Sequence, residues 1–390
     1  MAENIIHEAT PCAESVPANN SLSDNMRFAI LDQGTMAPEV TSMGMDDVHC
    51  FNPCADERWS RFLSHREHAS VFHTPGWLEA LRRTYGYEPI VYTTSPRGTE
   101  LSDGLLFCRI NTWLSGRRLV SVPFSDHAAI LTDDADILRE IFSVVRGQVN
   151  SKACKYVEIR PTARPITTPD GFAQSSRFYW HKLALDKDLY SLHKSFHRDC
   201  IQRKIKRAER EKLTYAEGRS EELLHQFYRL FLVTHSRHGT PPQPMSWFRN
   251  LMQCMGDQLQ MRIASKNGVP VASIITLTYK QSMVYKYGCS DARYHNLGGT
   301  IFLFWQAIQE AKDAGLQEFD LGRSDCDNAG LIGFKEHWKA ERSTLEYWRY
   351  PCESKPYSNR RNIKLARKVI SRLPAVALPS VGRLLYRHMG

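Results

Sequence analysis

The sequence predicts a mixed α/β (α+β) protein in which two similar units follow one another. Three observations predict it. Apolar stretches of helical period, with start and stop signals, alternate with short runs rich in β-branched and aromatic residues. The order helices, three or four strands, helix, strand occurs twice along the chain, without sequence repetition strong enough to call a repeat. The 390 residues, 42% hydrophobic, also exceed what one core usually organises. Helix-flanked mixed sheets hold ligands in clefts beside or between the sheets.

The elements are expected in the following order. Residues 1–45, rich in Ala, Asn, Ser, Pro and Met, read as a disordered leader outside the fold. The first unit, 46–185, opens with a helix near Glu57–Ser64. A better-marked helix, TPGWLEALRRTYG, has Thr74 as N-cap, Pro75 at the first helical position and Gly86 at its end. Strands are expected at EPIVYTT, GLLFCRI, RRLVSVPF and HAAILT, then a helix over Asp136–Val149 and a strand at KYVEIR. The second unit, 186–352, with FYWHKLAL at the junction, carries a basic helix over Ser195–Leu213 and a helix near Glu221–Ser236. Strands QLQMRIAS, VASIITLTY and MVYKYGCS follow, then a helix over Gly299–Ala314, a strand QEFDLG, the run GLIGFKEHW and a strand STLEYWRY.

Composition narrows the function classes. No run approaches the 18 apolar residues of a membrane span, and the N-terminus lacks the basic start and apolar stretch of a secretory signal, so a cytoplasmic location is expected. Ten cysteines without a CxxC read as reduced thiols. His49, Cys50 and Cys54 lack a second ligand cluster at zinc-like spacing, so no metal is expected. The net charge is +9, and residues 360–390 alone hold eight Lys/Arg and no acid. This tail, 353–390, is divided by Pro374 and Pro379 into short amphipathic pieces. It suits the anionic inner face of a membrane; a disordered basic end is the alternative.

Four stretches resemble the FemAB-type transferases, which join two acetyltransferase-like (GNAT-type) domains in one chain. They are SVFHTPGWLEALRRTYGYEPIV; SGRRLVSVPFSDHAAIL; FHRDCIQRKIKRAEREKL; and TIFLFWQAIQEAKDAGLQEFDLGRS followed by GLIGFKEHWKAE. RHGTPPQPMSWF and the LP…GRLLYRHMG end are similar to members found with bacterial exopolysaccharide and exosortase (PEP-CTERM) systems. The resemblance implies two tandem GNAT-like acyltransferase domains, the second catalytic. It implies transfer of an acyl or aminoacyl group onto an amine of a cell-wall or exopolysaccharide precursor, lipid-linked in some cases. It implies no bound cofactor and a donor that is either aminoacyl-tRNA or acyl-CoA.

Acyl transfer to an amine passes through a tetrahedral oxyanion, so the site needs a cation or N–H donor where charge develops and an acceptor for the amine's proton. By the family pattern, Phe334 and Lys335 line the donor site. A compact lysine cation suits the oxyanion or the leaving group; a solvated lysine on a short charged helix is the alternative. Asp320 is a candidate base, or a structural carboxylate paired with Arg323. Tyr285 and Tyr287 alternate with Lys286, which puts both phenols on one strand face, for substrate or for the core. Gly298 and Gly299 before a helix leave amides open to an anion, although the GNAT loop pattern is otherwise incomplete, which weakens CoA as donor. Arg237 and His238 are candidates for substrate contact, with completion of a helix C-terminus as the alternative. The basic helix is a candidate surface for tRNA phosphates or a pyrophosphate-linked acceptor, with a solvated helix face as the alternative. Two other functions fit: an acyl-CoA-dependent N-acetyltransferase on a small amine or amino sugar, and a non-catalytic RNA-binding or assembly protein.

Overall fold

A computed structural model describes residues 48–132, 134–162, 170–351 and 378–390. The expected leader, Cys352 and residues 353–377 of the basic tail lie outside the described residues.

Local signals and observed elements agree where capping is strong. Helix α1 (Glu57–His65) starts at Asp56, whose side chain accepts from the Arg58 amide. Helix α2 (Pro75–Tyr85) starts at Thr74 and ends at Gly86, whose φ of 72° is the left-handed stop that glycine permits. Helix α3 is Ala135–Asn150. The first half contributes strands β1 (His49–Phe51), β2 (Glu88–Thr93), β3 (Leu105–Thr112), β4 (Gly116–Val120), β5 (Val157–Ile159) and β6 (Ala173–Ala184). HAAILT forms no strand. Val122 and Phe124 take positive φ values of 49° and 59°, which turn the chain out of the sheet after β4 and carry Asp126 and His127 into the interior as a buried loop.

The second half holds α4 (Leu189–Ser195), α5 (Arg203–Arg210), α6 (Glu221–His238), α7 (Met245–Met255), α8 (Gly299–Asp313) and α9 (Ala329–His337). The single basic helix expected over Ser195–Leu213 is broken. Phe196 is extended, His197 caps a new start by accepting from the Asp199 and Cys200 amides, and a π-type turn over Arg198–Gln202 leads into α5. Strands β7 (Thr214–Gly218), β8 (Leu259–Lys266), β9 (Val269–Tyr279), β10 (Ser282–Ser290), β11 (Glu318–Asp325) and β12 (Glu341–Tyr350) complete the set, and a last helix, α10, spans Leu378–Tyr386.

The twelve strands among the described residues form one sheet, in the order β1-β2-β3-β4-β5-β12-β6-β11-β10-β9-β8-β7. The closing strands are exchanged: β6, which follows β5, pairs with β11, while β12, which follows β11, pairs with β5. β12 and β6 pair with each other along the seam. The boundary expected at 185/186 falls between β6 and α4, so β6 belongs by pairing to the second half's strands.

One apolar cluster joins the halves directly, packing Trp59, Phe72 and Trp77 with Phe231 and Trp247. A second, around Phe304, Phe319, Phe334 and Trp338, lies on the opposite face, and a third packs α3 on β2–β5. The end of the chain docks on the first half. The Tyr87 hydroxyl donates to Tyr386 O at 3.0 Å, and the Arg118 guanidinium donates to His388 O at 2.9 Å and to Gly390 O at 2.7 Å. A disordered end therefore does not describe residues 378–390.

Candidate active site

The site forms where two neighbouring strands part. β10 and β11 pair in parallel only at Ser282↔Glu318, Met283↔Phe319 and Val284↔Asp320. Beyond that point a cleft opens, lined by Tyr285, Gly288, Gly298, Gly299, Phe334 and the cationic or polar side chains of Lys204 and His295. A bulge in β10 between Tyr285 and Tyr287 coincides with the parting. It overturns the expectation that the two tyrosines share a face. Tyr285 packs on Phe304, ring centroids 4.7 Å apart, while Tyr287 lies on the other side against Phe248 and accepts from Trp247 Nε1 at 2.8 Å. The extra residue, Lys286, turns to the Tyr287 side.

There Lys286 Nζ donates to Asp126 Oδ1 at 3.2 Å, amid the rings of Phe72, Trp77 and Tyr287. Asp126 comes from the loop after β4, so the pair spans both halves. Burial would raise the Asp126 pKa, but Lys286, Arg323, His127 and Lys335 outweigh it and hold the carboxyl below the usual range. Its Oδ2 has no hydrogen-bond partner among the described residues.

Lys335 sits on α9 and is wholly buried, 0% exposed, which excludes the solvated alternative. Its Nζ donates to Gly322 O at 2.8 Å and Arg323 O at 2.9 Å, which uses two of three ammonium donors. Burial pushes its pKa down to about 7 against the opposing pull of Asp126 and Asp320. Phe334, its neighbour, packs edge-on against Phe304 and borders the cleft.

Asp320 and Arg323 do not pair, which corrects the structural alternative. Asp320 Oδ1 accepts from Trp180 Nε1 and from the Gly322 amide, each at 2.7 Å, and its Oδ2 lies 3.3 Å from His127 Nε2. Arg323 Nη1 instead donates to Tyr347 OH at 2.8 Å, and its Nε is 3.7 Å from Asp126. Both Asp320 oxygens are thus engaged within the protein, Oδ1 by two N–H donors and Oδ2 by the His127 ring. His127, Asp126, Lys286 and Tyr347 were not singled out in the sequence. His181 was missed too; it is 0% exposed beside the cluster, neither ring nitrogen has a partner among the described residues, and burial pushes its pKa down to about 4.

The glycine pair forms the entry to α8. Gly298 takes φ 78° at the cap of α8, and a Cβ there would lie 2.8 Å from Lys204 O. The first amides of α8, from Gly299 onward, have no intrahelical acceptor. Arg237 and His238 stand in the last turn of α6, and Arg237 Nη1 reaches His295 Nε2 at 3.3 Å, which ties that turn to the cleft. Among the described residues, His197, Cys200 and His337 bring possible metal-ligand atoms within 4.8 Å of one another. They fit a metal poorly. His197 Nδ1 already accepts two amides, so in the neutral ring its Nε2 carries the proton.

Residues 195–339 match the acetyltransferase (GNAT) domain family. Over 140 residues, 34% of this chain, the sequence is 26% identical to the UDP-N-acetylmuramoylpentapeptide-lysine N(6)-alanyltransferase of Weissella viridescens; the match spans 40% of that enzyme's length. Among solved structures the fold is similar to FemX, with a TM-score of 0.60 at 13% identity, covering 80% of this chain and 98% of that one. It is also similar to a tandem GNAT protein from the clavulanic acid biosynthesis pathway, with a TM-score of 0.50 at 12% identity, covering 79% and 100% of the two chains. The tandem GNAT-like fold and the Fem likeness inferred from the motifs are thus supported; among the described residues no helix is long and apolar enough to cross a membrane.

Proposed function

We propose that the protein transfers an acyl or aminoacyl group onto an amine of a cell-wall or exopolysaccharide intermediate. The observation that carries this reading is the placement of Lys335, buried beside the parting of β10 and β11 with two donors fixed on strand carbonyls. The amine attacks the acyl carbon, and the remaining Lys335 donor stabilises the oxyanion as it forms. The leaving group is the ribose hydroxyl of a tRNA or the thiol of CoA; it departs with a proton. Asp126, whose buried Oδ2 has no hydrogen-bond partner among the described residues, holds the incoming amine, while Asp320 positions His127 and Trp180 rather than serving as the base. A pre-organised donor of this kind contributes roughly 10²–10³ in rate. Its support from outside the chain is the alanyltransferase likeness, since that relative's name specifies a lysine amine as acceptor. Arg198, Lys206, Arg210 and Lys212, exposed along the broken basic segment, form the surface for tRNA phosphates.

Lys335→Ala is expected to lower kcat at least about 100-fold when assayed well below its melting temperature, which should itself fall because two carbonyls lose their donor, with circular dichroism retained at the assay temperature. Phe334→Ala is expected mainly to raise KM for the donor. Unchanged turnover in Lys335→Ala would remove the assignment. A second reading keeps the fold and uses acyl-CoA on a small amine or amino sugar; the glycine pair before α8, with Lys204 and His295 in the same cleft, favours it. Thermal stabilisation by acetyl-CoA but not by charged tRNA would select this second donor.

A further inference from the structure

Three of the exposed large apolar side chains among the described residues, Trp113, Leu114 and Leu384, stand together with cations. The turn between β3 and β4 carries Trp113, 82% exposed, and Leu114, 58% exposed. The docked end of the chain lies beside it: the Trp113 and His388 rings meet edge to face at 5.3 Å, and Leu384, on α10, is 62% exposed. Exposed tryptophan and leucine on neighbouring segments cost solubility unless something covers them.

Charge indicates what covers them. Arg117, Arg383 and Arg387 are exposed on the same two segments. Lys155 lies against the turn, since a Cβ on Gly116 would fall 2.6 Å from its Cε. The contributing stretches, 111–118, 146–156 and 378–390, contain no Asp or Glu. A second copy of this chain would oppose cation to cation across such a face. An anionic bilayer complements it: tryptophan and leucine enter at headgroup depth while arginine and lysine meet lipid phosphates.

We propose that the β3–β4 turn and α10 together form the surface by which this protein rests on an anionic lipid membrane. The composition of the basic tail alone suggests attraction to such a membrane; the structure adds a wedge from a segment some 270 residues earlier in the chain, held beside the tail by Arg118. The proposal does not depend on the identity of the transferred group.

Flotation of the full chain with phosphatidylcholine vesicles, with and without phosphatidylglycerol, tests it. Wild type is expected to float only with the anionic lipid and to dissociate as salt rises. Trp113→Glu/Leu114→Glu is expected to weaken partitioning more than about tenfold. Arg383→Glu/Arg387→Glu should weaken it by a similar factor, at about fivefold per cation. Circular dichroism should be unchanged in both variants, because the side chains are exposed. Undiminished flotation of Trp113→Glu/Leu114→Glu would overturn the proposal and leave binding to the cations of 360–377. Equal flotation with phosphatidylcholine alone would overturn it as well. So would a dimer in sedimentation that this variant dissolves while vesicle binding persists.

Discussion

Lys286 and Asp126 are each 2% exposed and carry opposite charges 3.2 Å apart at the centre of the molecule. Two buried ions stabilise little as a pair, but losing one leaves the other uncompensated. Lys286→Met is therefore expected to destabilise by about 3–5 kcal/mol in urea unfolding. Lys286→Met/Asp126→Leu should recover part of that loss, because the Asp126 carboxylate is no longer left without Lys286, although Arg323 then loses its own contact with Asp126. If the double variant were no better than the single, the pair would not be the source of the cost. These two residues also mark the limit of legibility at this scale. Lys335 could be singled out because its motif is local, GLIGFKEHW. Asp126 lies 160 positions from Lys286 in sequence, and SVPFSD reads as the end of a strand, so only the turn at Val122 and Phe124 reveals where it goes. Asp320 was visible as a carboxylate at a strand end, but its partners, Trp180 and His127, come from other elements.

Elements with strong caps were legible; interruptions were not. Thr74, Pro75 and Gly86 mark α2 unambiguously, and Gly239 ends α6 as the glycine rule requires. Periodicity alone does not show that Phe196 leaves the helix, nor that one inserted residue in β10 sends Tyr285 and Tyr287 to opposite sides, because a one-residue bulge keeps the apolar composition of the strand. The short helix α7 begins at PPQP without a side-chain cap and escaped notice for that reason. At the cleft, Gly298 combines a left-handed backbone with a close approach to Lys204 O. Gly298→Ala is expected to cost about 1–2 kcal/mol from the backbone alone, and more from the clash. A drop of several degrees in melting temperature checks it; a Tm equal to wild type would show that the turn relaxes freely.

The exchanged strands decide the behaviour of the whole molecule. Glu158 on β5 accepts from Arg349 on β12 and from Arg160, so it fastens the first half to the last strand. Burial would raise its pKa, but the two guanidinium groups outweigh this and hold the carboxyl down to about 2 from an ordinary 4.5. A folded pKa below the unfolded one gives stability that is complete above about 4.5 and is lost as pH falls from there towards 2, up to about 3 kcal/mol. Glu158→Gln should therefore lower the urea midpoint at pH 7 and leave it nearly unchanged near pH 2; equal loss at both would exclude the linkage. That two units are present was legible from the repeated element order, but their interlocking was not, since no local pattern says that β12 pairs with β5, nearly two hundred positions earlier. This interlocking orders events during synthesis. Until Glu341–Tyr350 has left the ribosome, β5 and β6 face each other with an unfilled slot between them, and neither half possesses its own closing strand. The nascent chain must hold two incomplete sheets apart from other nascent chains until β12 arrives, which makes the interval between the emergence of β11 and that of β12 aggregation-exposed.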